Sequence, residues 1–300
     1  MANSWCGSLK FLTKRIRYEQ FGYFCLMGWL SRIFGFYLDA SIHVAFAVVS
    51  LLMTTNIFLN ILPEQHLILF VFFGTVPSYN FIKYGTKAKK YILVKNSYHR
   101  QIQIFSFVFL ALAGYHFFFL SHKVWLIGIV LASLTGLYAL PVSARHKNLR
   151  NSGIVKVLLV ALVWTGTTVG IPIISSALAF SWDIGLLVLQ QFILILILLI
   201  PFEIRDLEYD ELNLQTIPQR IGVSKTKTLG AFLSVIFLLL TFLKDDLSRM
   251  EIIGRSLLFL ILCVMLLFTD RNQSKYFASF FVEAIPIGWL GILVILENYF

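Results

Sequence analysis

Nine apolar runs of roughly membrane-spanning length dominate this 300-residue chain. A helix needs about 20 consecutive, mostly apolar residues to cross the hydrocarbon core of a bilayer. The runs lie at 35–59, 66–84, 102–120, 124–142, 154–178, 184–202, 228–243, 252–269 and 280–297. Hydrophobic residues make up 58% of the chain. We therefore predict an all-α, multi-pass integral membrane protein with about nine transmembrane helices.

Basic residues are distributed unevenly between the two sets of loops. Of the 25 Lys and Arg residues, all but four lie in the N-terminal arm and in alternate loops. The four exceptions are Lys123, Lys244, Arg249 and Arg255. Because Lys and Arg accumulate on the cytoplasmic side of a membrane protein, we expect the N-terminus inside and the C-terminus outside. This topology accounts for the net charge of +10 without a nucleic-acid partner.

Residues 1–33 form a basic and aromatic arm ahead of the first span. The apolar run at 21–30 is too short to cross a membrane. We expect the arm to lie along the inner interface as an amphipathic helix, and residues 34–300 to form the transmembrane bundle. The expected location is the bacterial cytoplasmic (inner) membrane, with membrane lipid and other membrane proteins as partners.

A polar break after the sixth run carries five of the fifteen carboxylates. They are Glu203, Asp206, Glu208, Asp210 and Glu211. Asp206 and Asp210 are four residues apart, so on a helix they project from the same face. Such a pair can chelate a hard cation such as Mg²⁺, which often shares its ligands with a substrate phosphate. The alternative is that this segment is the solvated acidic end of a loop.

Basic residues on the same side could bind an anion. Three of them follow the stretch Tyr138-Ala-Leu-Pro141, namely Arg145, Lys147 and Arg150. They suit a phosphate, although topology alone also predicts a basic loop here. Lys156 lies a few residues inside the fifth run, from where its side chain could snorkel to the interface. Arg220 follows the acidic break and could pair with one of its Asp residues.

These elements together resemble the UbiA superfamily of intramembrane prenyltransferases. The resemblance covers about residues 35–297. It rests on the helix count, the inner-face Asp206-x-x-x-Asp210, the segment Thr216-Ile-Pro-Gln-Arg220-Ile-Gly222 and the Tyr138-x-x-Pro141 before a basic loop. Members transfer an isoprenoid from its diphosphate to an aromatic or other lipid-like acceptor. Two acidic motifs, on helices two and six, hold Mg²⁺ and the diphosphate.

The resemblance implies a role for each matching residue. Asp206 and Asp210 would be catalytic and would hold the metal. The substrate-binding residues would be Asn80, Lys83, Lys87, Tyr138, Arg145, Lys147, Arg150, Lys156 and Arg220. An active protein would need Mg²⁺, and an inactive one would need no cofactor.

The first acidic motif of the family, NxxxDxxxD at the end of helix two, is only partly present. Asn80 matches it, but Tyr84 and Ala88 stand where the acids belong. No Asp or Glu occurs between Glu64 and Asp183, so no other alignment restores the motif.

Lysines replace the missing acids, and Lys83 and Lys87 share one helix face. Three roles are compatible with the sequence: pairing with Asp206 or Asp210 in place of the metal, binding a phosphate directly, or marking an inactive site. We expect the first of these to bring an ammonium of Lys83 or Lys87 within salt-bridge distance of Asp206 or Asp210.

The leading function is therefore a divergent prenyltransferase that acts on an isoprenoid diphosphate and a lipid-like or aromatic acceptor. The alternative is a non-catalytic relative that binds a polyprenyl lipid or quinone, or that serves as a subunit of a membrane complex. A transporter is disfavoured because few charges lie at the centres of the spans. The sequence leaves enzymatic activity open.

Overall fold

The computed structural model describes residues 29–85, 96–140, 153–208, 210 and 214–300. Within these ranges the chain forms helices and no strand, which confirms the predicted all-α class. The helices are α1 (Trp29–Asp39), α2 (Ile42–Phe58), α3 (Gln65–Tyr84), α4 (Ser97–Phe117), α5 (His122–Ala139), α6 (Ile154–Thr165), α7 (Ile171–Ser175), α8 (Trp182–Asp206), α9 (Ile217–Ile221), α10 (Val223–Leu239), α11 (Arg249–Phe268) and α12 (Glu283–Glu297).

Seven helical stretches of the described chain are long and apolar enough to cross a membrane. An eighth is added if α1 and α2, which meet at a bend of 55°, form one span. The third predicted span falls on α4, which is 21 residues long but begins with the polar segment Ser97-Tyr-His-Arg-Gln101. The count of nine and the orientation of the termini therefore stay predictions.

The helices pack as a closed ring. Contacts run from α2 to α3, α5, α6, α8, α10, α11, α12 and back to α2. α4 packs against α3 outside this ring. Close approach depends on small residues: a Cβ atom on Gly166 would lie 2.6 Å from the Leu131 side chain. This agrees with the use of glycine at helix contacts in membranes.

α8 contributes more buried apolar residues than any other helix. Its residues Leu194, Ile197 and Ile204 are almost fully buried and contact side chains from the neighbouring helices. Two buried glutamines of α8 bond to other helices: Gln190 Nε2 donates to Phe237 O at 3.0 Å, and Gln191 Nε2 donates to Thr168 Oγ1 at 3.0 Å. Polar bonds of this kind fix the positions of helices that apolar contacts alone leave free to slide.

Asn80 joins three elements. Its Oδ1 accepts from Ser41 Oγ at 2.8 Å, and its Nδ2 donates to Ala40 O at 3.1 Å and to Ser106 Oγ at 2.8 Å. Ser41 has the left-handed backbone conformation, with φ of 60°, at the bend between α1 and α2. Asn80 therefore ties α3 and α4 to that bend.

Two π-helical segments interrupt the spans. Gly166–Gly170 joins α6 to α7, and Phe277–Val282 precedes α12. A π-bulge shifts the register of the side chains that flank it and often occurs at functional sites. Here the flanking residues include Trp164, just before the first segment, and Glu283, just after the second. Both side chains face the same cavity.

Candidate functional site: a charged cavity joined to an apolar one

A cavity of about 240 Å³ lies inside the ring, mainly between α6, α8 and α12. We call it the head cavity. Five charged residues line it: Lys156, Glu203, Asp206, Asp210 and Glu283. Ionisable groups inside a membrane protein are costly and usually mark a binding site or a relay, which makes this cavity the candidate functional site.

Lys156 lies between two acids of the head cavity. Its ammonium is 2.9 Å from Glu203 Oε1 and 3.2 Å from Asp210 Oδ2. The side chains of Lys156 and Glu203 are only 11% and 10% exposed, so the pair is largely removed from water. The second oxygen, Glu203 Oε2, is buried and has no hydrogen-bond partner among the described residues. The position of Lys156 follows from the packing of α6 on α8.

Asp206 and Asp210 lie one helical turn apart, since the Asp210 amide donates to Asp206 O at 2.9 Å. Both line the head cavity, as their spacing predicted. Arg205 Nε donates to Asp206 Oδ1 at 2.8 Å. Glu283 approaches from α12 and is within electrostatic range of Lys83 and Arg205. The acidic side chains of the cavity thus each have a basic side chain nearby.

A second cavity, of about 220 Å³, adjoins the first between α3, α5 and α6. We call it the tail cavity. Its lining is mostly apolar and includes Phe70, Val71, Leu131, Leu159 and Val163. Four residues line both cavities: Tyr79, Tyr138, Val160 and Trp164. Trp164 Nε1 donates to Tyr79 OH at 2.6 Å, which fixes the two rings in the shared wall.

The structure brings four of the predicted site residues together. Tyr138, Lys156, Asp206 and Asp210 all line the head cavity. Four other predicted residues, Lys87, Arg145, Lys147 and Arg150, lie outside the described residues.

Three predicted site residues are placed elsewhere. Asn80 lines neither cavity, and its side chain is bonded to the α1–α2 bend and to α4. Lys83 Nζ donates to Leu38 O at 3.2 Å and forms no salt bridge with Asp206 or Asp210, so the expected pairing is absent for Lys83 and stays a prediction for Lys87. Arg220 binds Gln215, through Oε1 at 2.8 Å and the main-chain oxygen at 3.0 Å, and not an Asp.

Sequence reasoning missed Glu283 and two residues of the aromatic wall, Tyr79 and Trp164. Glu283 is a lone acid within an apolar run, and such a residue is a functional candidate by default. That signal was available but was not used. Tyr79 and Trp164 gave no signal, because aromatic residues in a membrane helix are ordinary. Glu203 was counted among the clustered acids without a role of its own.

Solved structures of a UbiA homologue from Archaeoglobus fulgidus resemble this chain over most of its length. The structure bound to GPP and Mg²⁺ has a TM-score of 0.56 at 14% identity, covering 88% of this chain and 99% of the homologue. The structure bound to DMAPP and Mg²⁺ has a TM-score of 0.54 at 13% identity, covering 88% and 97%. The chain has the UbiA-superfamily fold.

A digeranylgeranylglyceryl phosphate synthase structure shows the same UbiA architecture. Its TM-score is 0.52 at 14% identity, covering 86% of this chain and 95% of the synthase. No protein-family model matches the sequence, and no curated protein sequence matches it. The apolar helices and the UbiA fold together make this an integral, multi-pass membrane protein. At such low identity the fold is shared, and function must be argued from the site.

The head cavity does not present a ready-made site for the Mg²⁺ held by those homologues. Among the described residues, no three Asp, Glu, His or Cys side chains converge as metal ligands. Glu203 and Asp210 instead share the Lys156 ammonium, and Asp206 is paired with Arg205. Tyr84, which replaces the first acid of the family motif, donates its hydroxyl to Asp39 O at 3.1 Å. The donor set of the described residues therefore does not fit a preassembled magnesium centre.

Proposed function

We propose that this protein is a divergent UbiA-like prenyltransferase that acts on an isoprenoid diphosphate and a lipid-like or aromatic acceptor. The observation that carries the proposal is the pairing of a charged cavity with an apolar one through a shared aromatic wall. An amphiphile with a charged head and an isoprenoid chain matches this division. Ligand pockets are usually apolar with a few placed polar groups, and the two cavities together have this character.

The tail cavity would hold the isoprenoid chain. Burial of each methylene contributes about 0.8 kcal/mol, so an apolar slot inside the ring favours a long hydrocarbon over water. The shared wall of Tyr79, Tyr138 and Trp164 would then lie beside the carbon that carries the diphosphate. The head cavity would receive the polar end.

The proposed transfer breaks the carbon–oxygen bond of the allylic diphosphate and forms a bond from that carbon to the acceptor. The departing diphosphate keeps the electron pair. The positively charged ammonium of Lys156 would lie close to the diphosphate and stabilise its negative charge. The allylic carbon gains positive charge, which aromatic faces such as Trp164 can stabilise. The acceptor then loses a proton, and the unpartnered Oε2 of Glu203 is placed to take it. The dry interior would protect the cation from water.

Two glycines allow a matched test of this placement. Gly74 on α3 lines the tail cavity, and Gly114 on α4 lines neither cavity. A Cβ on either residue would meet nothing within 4 Å. Gly74→Phe should fill the tail cavity and weaken binding of a radiolabelled prenyl diphosphate at least tenfold. Gly114→Phe should bind like wild type. Equal affinities in both variants would place the chain elsewhere.

Activity itself is tested by incubating purified protein with labelled prenyl diphosphates and candidate acceptors, with and without Mg²⁺. Prenylated product that disappears in Gly74→Phe supports a transferase. Binding without product in any acceptor supports the second candidate, a non-catalytic protein that binds a polyprenyl lipid or quinone, alone or in a membrane complex. The pairing of Lys156 with two acids favours this second candidate, because it occupies groups that could otherwise hold a metal.

A further inference from the structure

The Lys156 ammonium takes the position that a bridging cation would need. It lies within 3.2 Å of carboxylate oxygens from both Glu203 and Asp210. A divalent cation held by the same two acids would have to occupy the space between them, at about 2.0–2.6 Å from each oxygen. The ammonium and a metal ion cannot share that space.

The other acids of the head cavity also have basic neighbours. Asp206 is bonded to Arg205, and Glu283 is within electrostatic range of Lys83 and Arg205. The charge of the cavity is therefore compensated largely by side chains of the protein itself. One buried acceptor of the cavity is unused: Glu203 is 8% exposed, and its Oε2 lacks a hydrogen-bond partner within the described part of the chain. That oxygen could bind a metal ion or accept a hydrogen bond if the Lys156 ammonium were withdrawn.

We propose that Lys156 is a built-in cation that keeps divalent metal ions out of the head cavity. Two carboxylates removed from water require a compensating positive charge, and the tethered ammonium supplies it permanently. A metal ion binds Glu203 and Asp210 only when the ammonium is withdrawn or removed. This inference rests on the geometry of the three side chains and does not depend on the identity of the lipid ligand.

Binding of Mn²⁺ alone tests the inference. Mn²⁺ favours the oxygen ligands that also suit Mg²⁺, and its free concentration is measured directly by electron paramagnetic resonance. Purified wild-type protein in detergent, with no prenyl ligand, should show no Mn²⁺ site that depends on Glu203 and Asp210. Lys156→Met should gain one, with affinity at least tenfold above that of wild type. Its unfolding temperature should also rise on addition of Mg²⁺.

Three control variants define the site. Lys156→Arg keeps the positive charge and should exclude Mn²⁺ as wild type does. Lys225→Met removes an exposed lysine that lines neither cavity, and it should not gain a site. Adding Glu203→Gln and Asp210→Asn to Lys156→Met should abolish the gained site.

Two results would overturn the inference. One is a wild-type Mn²⁺ site as tight as that of Lys156→Met and lost in the Glu203→Gln/Asp210→Asn double variant. The other is a folded Lys156→Met protein that gains no site. If Lys156→Met does not fold, the wild-type titration and the double variant decide the question. Failure to bind prenyl diphosphates would refute the proposed function and would leave the Mn²⁺ result unaffected.

Discussion

Two buried sets of three charges lie near the opposite ends of α8, and they differ in what surrounds them. The head triad, Glu203–Lys156–Asp210, adjoins the end of this helix. The far triad, Lys244–Glu251–Arg255, adjoins its start, where Asp183 is within electrostatic range of Arg255. Twenty residues of helix separate Asp183 from Glu203, which corresponds to about 30 Å.

The far triad is centred on one acid. Lys244 Nζ lies 2.8 Å from both oxygens of Glu251, and Arg255 forms a salt bridge with the same carboxylate. The Arg255 guanidinium stands over the Phe58 ring, 4.7 Å from its centre. The three side chains are at most 6% exposed, and none lines the head or the tail cavity. Such a cluster holds the ends of α10 and α11 together.

The head triad borders a cavity and contains two acids for one base. A carboxylate oxygen in it has no partner among the described residues. The comparison shows that burial of charge does not by itself identify a functional site in a membrane helix bundle. Access to a cavity separates a site for a ligand from a structural cluster, since an unused polar atom occurs in both triads: Nε and Nη1 of Arg255 also have no partner among the described residues. The predictions below test this distinction.

The first prediction concerns membrane sidedness, where the expected effect is all or none. Lys225 lies at the end of the bundle that contains the head cavity. Asp246 lies at the opposite end, beside the far triad, and its amide donates to Asp183 Oδ2 at 3.1 Å. In a protein whose native cysteines are replaced, Asp246→Cys should react with an impermeant thiol reagent added outside cells. Lys225→Cys should react only after the membrane is broken, since basic loops stay inside. The reverse pattern would invert the proposed topology.

Glu251→Gln should cause the largest loss of stability. It keeps the shape of the side chain but leaves Lys244 and Arg255 without their shared acid. Removing one partner of a buried ion pair costs about 3–5 kcal/mol. Detergent-titrated unfolding would measure the loss, with Glu297→Gln on exposed Glu297 as the control, for which we expect less than about 0.5 kcal/mol. A small effect of Glu251→Gln would mean that the far triad is not structural.

Glu203→Gln should act on turnover. Loss of a general base typically lowers the rate by about 10²–10⁴-fold. Prenyl diphosphate binding should stay within about threefold of wild type, because the amide keeps the shape of the cavity. Product formation at a wild-type rate would remove Glu203 from the proposed transfer.

Lys156→Met should weaken prenyl diphosphate binding more than tenfold in EDTA, about 1.4 kcal/mol. In the wild-type protein the Lys156 ammonium would lie close to the diphosphate and attract it, and this attraction is lost in the variant. Lys244→Met, which removes the corresponding charge from the far triad, should leave the affinity of the folded fraction unchanged. Equal losses in both variants would point to a general effect of net charge. Equilibrium binding of a labelled ligand provides the measurement.

Glu203→Gln should have the smallest effect on stability, a loss of about 1 kcal/mol. Lys156 retains Asp210 as a partner, and the cavity can admit water to the altered side chain. The same unfolding titration allows a direct comparison with Glu251→Gln. A loss as large as that of Glu251→Gln would show that the head triad is also structural.

The sequence by itself determined the class of the protein and the position of its acidic break. Apolar runs of spanning length fold as helices, because in lipid the backbone N–H and C=O groups can form hydrogen bonds only within the protein. The four-residue spacing of Asp206 and Asp210 placed both on one face, since a helix has 3.6 residues per turn. The order of motifs was enough to suggest the UbiA fold.

Only the tertiary structure decided which charges meet. Lys156 and Glu203 are far apart in sequence, and nothing local favours Lys156 over Lys83 as the partner of the acids. The packing of α6 on α8 brings Lys156 to Glu203 and Asp210, whereas the Lys83 ammonium donates a hydrogen bond to Leu38 O. Glu283 reaches the cavity because the ring closes α12 onto α2. Long-range packing sets these distances, and a one-dimensional pattern contains no measure of them.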